Sequence, residues 1–209
     1  MSLKTKLSLV VLAMLAGCAE WGMLHSGDVV SRDTHARIAH ARSLEAPSAW
    51  QMQKFGPMAN LVGRTYRSEL LAPESGSDSE ATPDVMTWSW ALGGAAISTV
   101  HALIDGSYGG ETLIYPDQST DSLAFVYVTT AGFRTEGLIT LNDDGTWTAE
   151  EAVLGHESIT KVRSTGRIRG DGALLANASY FDNGEWVPGR ASVYHEVYDQ
   201  APDFGIPGR

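Results

Sequence analysis

The sequence predicts an all-β fold, an antiparallel up-and-down β-barrel of about ten strands with a short N-terminal helix. Three observations lead there. From Gly63 onward apolar and polar residues alternate with a period of two, the spacing that sends every second side chain to one face of a strand. Turn residues recur at short intervals, among them Asp105-Gly106, Asp144-Gly145, Asp171-Gly172 and Asn183-Gly184, which suit tight hairpins because left-handed backbone positions favour Gly, Asn and Asp. No helical pattern separates the strands, so neighbours in sequence are neighbours in an antiparallel meander. Ten twisted strands left open would present two unpaired edges, and closure removes both. A two-sheet β-sandwich is the alternative.

The chain begins with Lys4 and Lys6, then an uncharged run from Leu7 to Ala16 ending in small residues. That is the layout of a secretory signal peptide over residues 1–17. The run is about half the ~20 residues a helix needs to cross a bilayer. Leu15-Ala16-Gly17-Cys18 holds the only cysteine and resembles the lipobox of bacterial lipoproteins. The resemblance implies acylation of Cys18 and a membrane anchored through lipid. Ala19 stands where retention in the inner membrane usually shows Asp, so the resemblance implies an outer-membrane location facing the periplasm.

Residues 18–48 read as a tether. Arg32–Ala46 is rich in helix formers, but most of its apolar residues are alanine. His25, His35 and His40 fall here, and the last two lie five apart rather than the three or four that would share a helix face; no metal site is expected. The barrel is expected over residues 49–199, with a tail at 200–209. Trp50, Phe55, Met58 and Leu61 have near-helical spacing, interrupted by Gly56-Pro57, and suggest a short helix capping one end.

The strand tracts follow in order: RTYRSELLA, VMTWSWAL, AAISTVHAL, SYGGETLIY, LAFVYVTT, FRTEGLITL, TWTAEEAVL, SITKVRSTGRI, ALLANASYF and EWVPGRASVYHEVY. In the eighth, Lys161, Arg163, Thr165, Arg167 and Arg169 share one face, expected outward. Glu150 and Glu151 on the preceding strand are the expected partners of that basic stripe. Without residues 1–17 the chain has 13 basic against 25 acidic residues, a net −12. A chain so acidic is not built to displace counterions from nucleic acid.

Five tracts, Trp88–Gly94, Tyr108–Tyr115, Thr130–Gly137, Asp144–Trp147 and Gly184–Pro188, resemble in their order a bacterial family of unknown function with a lipocalin-like (calycin-type) barrel. The resemblance spans roughly residues 50–199. It implies the barrel and a small ligand, and no catalytic residues. The Gly-x-Trp of many calycins is replaced here by Gly63-Arg64-Thr65-Tyr66. The glycine- and tryptophan-rich first strand of nitrobindin-type haem barrels is missing, so haem rests on a histidine alone and no cofactor is expected.

The candidate ligand-binding residues are His101, Tyr127, His195, Arg134 and Glu136. His101 is in register with Ile97 and Thr99; His195 is in register with Val193 and Val197, an apolar set expected to point inward. Arg134 and Glu136 are either polar contacts of a cavity or a solvent-side pair. Gly-x-Ser-x-Gly, Ser-x-x-Lys, His-Glu-x-x-His and P-loop signatures are all missing, so no catalytic residue is assigned. A binding barrel for a small, partly apolar ligand is the leading expectation. The alternatives are a solid-filled structural envelope lipoprotein and an enzyme of unrecognised type.

Overall fold

A computed structural model describes residues 46–72 and 82–205. The signal peptide, Cys18 and the tether histidines lie outside the described residues. Ser48 starts α1 (Ala49–Phe55) with a capping box: its hydroxyl accepts from the Gln51 N–H at 3.3 Å, and its own N–H donates to Gln51 Oε1 at 2.8 Å. Such reciprocal caps satisfy N–H groups that have no partner within the helix. Gly56, at φ +52°, ends the helix, and Gly56–Leu61 continues as a 3₁₀ turn.

Ten strands follow: β1 (Thr65–Ala72), β2 (Asp84–Ala91), β3 (Ala96–Leu103), β4 (Gly109–Asp117), β5 (Ser122–Thr129), β6 (Arg134–Leu141), β7 (Thr146–Leu154), β8 (Ile159–Ile168), β9 (Leu174–Asp182) and β10 (Glu185–Val197). Each pairs antiparallel with the next, and β1 pairs with β10, closing the barrel. Closure excludes the sandwich. The Asp residues at the expected turns hold them locally, with Asp105, Asp144 and Asp171 accepting from the backbone N–H two residues on, an Asx-turn geometry.

Alternation sorts the walls. Trp88 and Trp90 face inward together, as do Phe125 and Tyr127. On β8 Val162, Ser164 and Gly166 are buried, while Lys161, Arg163, Thr165 and Arg167 are exposed.

The two ends of the barrel differ. At one end α1 and its 3₁₀ turn lie over the strands: the Phe55 ring meets Trp90 at 5.6 Å, and Gln51 Nε2 donates to the Gly94 carbonyl in the β2–β3 turn. Phe55, Met58, Leu61, Trp88, Trp147 and Ile97 join one apolar cluster there. Trp147 fits because its cross-strand partner is Gly166; any side chain at that position would run into the indole. At the opposite end the β3–β4, β5–β6, β7–β8 and β9–β10 turns surround a second cluster containing Tyr108, Phe133, Val162 and Tyr180.

Two departures from simple alternation matter. On β10 two residues, Gly189 and Arg190, oppose one on β9, a bulge that re-aims side chains; Arg190 is thereby buried. Beyond β10 the chain returns along the outside. The Phe204 ring lies where a side chain of Gly109 would stand, and the Gly205 backbone lies against Gly106.

Candidate functional site

The cluster of polar side chains inside the half away from α1 is assembled from five strands and the β3–β4 turn. Asp84, the first residue of β2, points inward with Met86 and Trp88. Its Oδ1 lies 2.9 Å from His101 Nδ1, and its Oδ2 accepts from the Tyr194 hydroxyl at 2.9 Å. His101 Nε2 lies 2.8 Å from the Tyr127 hydroxyl, which is 2.8 Å from that of Tyr108. Asp84 and His101 side chains are 0% exposed.

One proton arrangement serves every member. The Asp84 carboxylate accepts from His101 Nδ1–H and from Tyr194; the bare Nε2 accepts from Tyr127, whose oxygen accepts from Tyr108. The Asp84 charge is answered through Ser68, whose hydroxyl oxygen accepts both the Asp84 N–H (2.8 Å) and Arg190 Nη2 (2.9 Å). Arg190 also donates to Ser192 Oγ at 3.0 Å and to the Thr82 carbonyl at 3.4 Å.

Burial pushes the hydroxyl pKa values of Tyr108, Tyr127 and Tyr194 above the ordinary tyrosine range. These phenols stay neutral and serve as hydrogen-bond donors, not as bases. The arrangement has the order of a carboxylate–imidazole–phenol relay, and its chemistry is to fix and orient a polar group.

A second polar group stands on β6–β8. The carboxyl of Glu151, 2% exposed, accepts from Thr135 Oγ1 at 2.6 Å and from Ser164 Oγ at 3.5 Å. Burial raises its pKa to about 8, against the lowering effect of those two hydroxyls. Thr135 is the cross-strand partner of Tyr127, which also pairs with Thr112. The Thr112 hydroxyl, fully buried, has no hydrogen-bond partner among the described residues. Among those residues no three His, Cys, Asp or Glu side chains gather to hold a metal ion.

Of the residues singled out from sequence, His101 and Tyr127 are brought together inside the barrel. The other three are on its outside. His195 is more than half exposed, 3.7 Å from Glu69 on β1, which corrects its expected inward direction. The inner face of β10 belongs to Ser192 and Tyr194, held by Arg190 and Asp84. Arg134 and Glu136 form a half-exposed outer pair at 3.8 Å, the solvent-side alternative. Glu150 meets Arg163 outside at 2.9 Å as expected, with Arg163 also 4.1 Å over the Trp186 ring. Glu151 turns inward, because successive strand residues take opposite faces.

Asp84, Tyr108, Glu151, Arg190 and Tyr194 are the residues sequence reasoning missed. Glu151 had a visible signal, since Trp147 and Ala149 set its parity, and Pro188-Gly189 inside a strand signals the bulge.

No family model matches the chain, and no curated relative matches it. Fold and site together define a closed ten-stranded antiparallel barrel, compatible with a lipocalin-like fold, one half of whose interior is polar.

Proposed function

We propose that the chain is a lipid-anchored envelope protein, facing the periplasm, that binds a small, partly apolar molecule in the polar half of its barrel. One observation carries the reading: the Tyr194–Asp84–His101–Tyr127–Tyr108 chain is wholly inside the wall, in the half that α1 does not cap. Hydrocarbon fills the other half, and a scaffold needs no more than that. Buried charges seldom add stability over a well-packed apolar filling, so their concentration at one end favours a role in binding. Ligand sites combine apolar walls with a few fixed polar groups, and the Tyr108, Phe133 and Tyr180 cluster supplies such a wall.

The lipobox resemblance at Cys18 supports the anchor, and the resemblance to the lipocalin-like family of unknown function supports a small ligand. Native mass spectrometry of the chain taken from its own membrane is expected to find a co-purified small molecule that Tyr127→Phe releases. A mass matching the bare acylated chain, unaltered by that variant, would count against binding. Cys18→Ser is expected to move the protein out of the membrane fraction; unchanged fractionation would remove the anchor.

A further inference from the structure

Among the described residues, Glu151 is the buried charge-bearing group that neither the relay nor Arg190 engages. Its surroundings can be followed element by element. On β6 the inner neighbours are Thr135 and Gly137, and Gly137, its direct cross-strand partner, presents no side chain. On β8 they are Val162 and Ser164, and the next inner position along that row is Tyr180 on β9. Across the interior stand Tyr108 and Tyr127, close enough to feel the Glu151 charge.

Every one of these groups is a hydroxyl, a phenol or a hydrocarbon. Among the described residues no Lys, Arg or His reaches the carboxyl. The one buried guanidinium among the described residues, Arg190, is committed beside Asp84 to Ser68, Ser192 and the Thr82 carbonyl. A buried carboxylate without a cation is costly, and its charge reaches the phenols of Tyr108 and Tyr127.

Resting on the binding reading above, we propose that Glu151 is the recognition group for a cationic amine, a small ammonium ligand held between the carboxylate and the phenol rings. The ammonium ion supplies the missing counter-charge, and ring faces attract cations by their quadrupole. The chain's charge is suited to such a ligand. The eleven residues joining β1 to β2, 73–83, contain Glu74, Asp78 and Glu80 and no base, and the whole chain has a formal charge of −10. Negative potential raises the encounter rate of cations. Because the carboxyl must ionise to take the cation, and its pKa lies near 8, binding releases a proton and tightens as pH rises.

The test is calorimetric titration of the full-length chain with three probes of one shape: tyramine (cation), 4-propylphenol (neutral) and 3-(4-hydroxyphenyl)propionate (anion). Tyramine is expected to bind at least about tenfold tighter than the other two, with affinity rising by nearly tenfold per pH unit between pH 6 and 7.5. Glu151→Gln is expected to abolish both the preference and the slope, while Glu150→Gln on the outer wall keeps them. Should Glu151→Gln fail to fold, probe ranking and slope in the unaltered chain still decide. Neutral or anionic probes binding as tightly as tyramine would overturn the amine and leave interior binding standing. No binding by any of the three at millimolar concentration would overturn both.

Discussion

The two halves of the barrel bury side chains to opposite effect. Beneath α1, Phe55, Met58, Trp88 and Trp147 remove large apolar surfaces from water, and two indole N–H groups there, of Trp88 and Trp147, find no acceptor among the described residues. An orphaned donor costs about 1–3 kcal/mol, which the area of an indole outweighs. In the other half the same wall carries Asp84, His101, Glu151 and Arg190, polar and charged groups whose desolvation is costly and is only offset if every bond is made. One end holds the ribbon closed, and the other spends stability on arranged polar groups.

That contrast can be broken by substitution. Trp147→Ala at the capped half is expected to have the largest effect, a loss of about 3–5 kcal/mol, read by denaturant unfolding. Asp84→Ala strands the His101 and Tyr194 donors and is expected to lose about 3 kcal/mol; a loss exceeding that of Trp147→Ala would reverse the assignment of which half supports the fold.

Glu151 sharpens the comparison through pH. Its folded pKa, about 8, lies above the unfolded value of 4.5, so the folded state binds the extra proton between those values. The stability contributed is fully present below the unfolded pKa and is lost as pH rises through the folded one. Glu151→Gln is therefore expected to gain on the unaltered chain between pH 5 and pH 9, by on the order of 2 kcal/mol or more, seen as converging and then crossing melting curves. A gap independent of pH would mean the carboxyl is not desolvated. The smallest effect belongs to Ser48→Ala, expected to cost about 1 kcal/mol through the lost cap, and to leave interior binding untouched.

Much of the barrel was legible because each strand is half buried, and half-burial writes itself as alternation. Lys161 through Arg167 on β8 shows this plainly: every second residue is basic or polar and exposed. The candidate site was legible where the same rule held, at His101 and Tyr127. It was hidden where polar contacts inside outweighed hydropathy. Val193 and Val197 make His195 look inward, yet the inner face of β10 is taken by Ser192 and Tyr194 because Arg190 and Asp84 bond them. Asp84 follows Thr82-Pro83 and resembles the end of a polar loop; only its bonds to His101 and Tyr194 mark it as interior. The helix at Ala49 was announced by the spacing of Trp50 and Phe55 and by the break at Gly56-Pro57, all local signals, whereas the Asp84–His101–Tyr127 relay joins residues from three strands, a relation no local pattern records.

The return of Phe204 and Gly205 across the outer wall has a practical consequence. Phe204 and Gly205 occupy the spaces that Gly109 and Gly106 leave empty, on either side of Tyr108. Trimming at residue 199, or fusing a purification handle directly after it, would therefore unclasp the hairpin from which that phenol hangs.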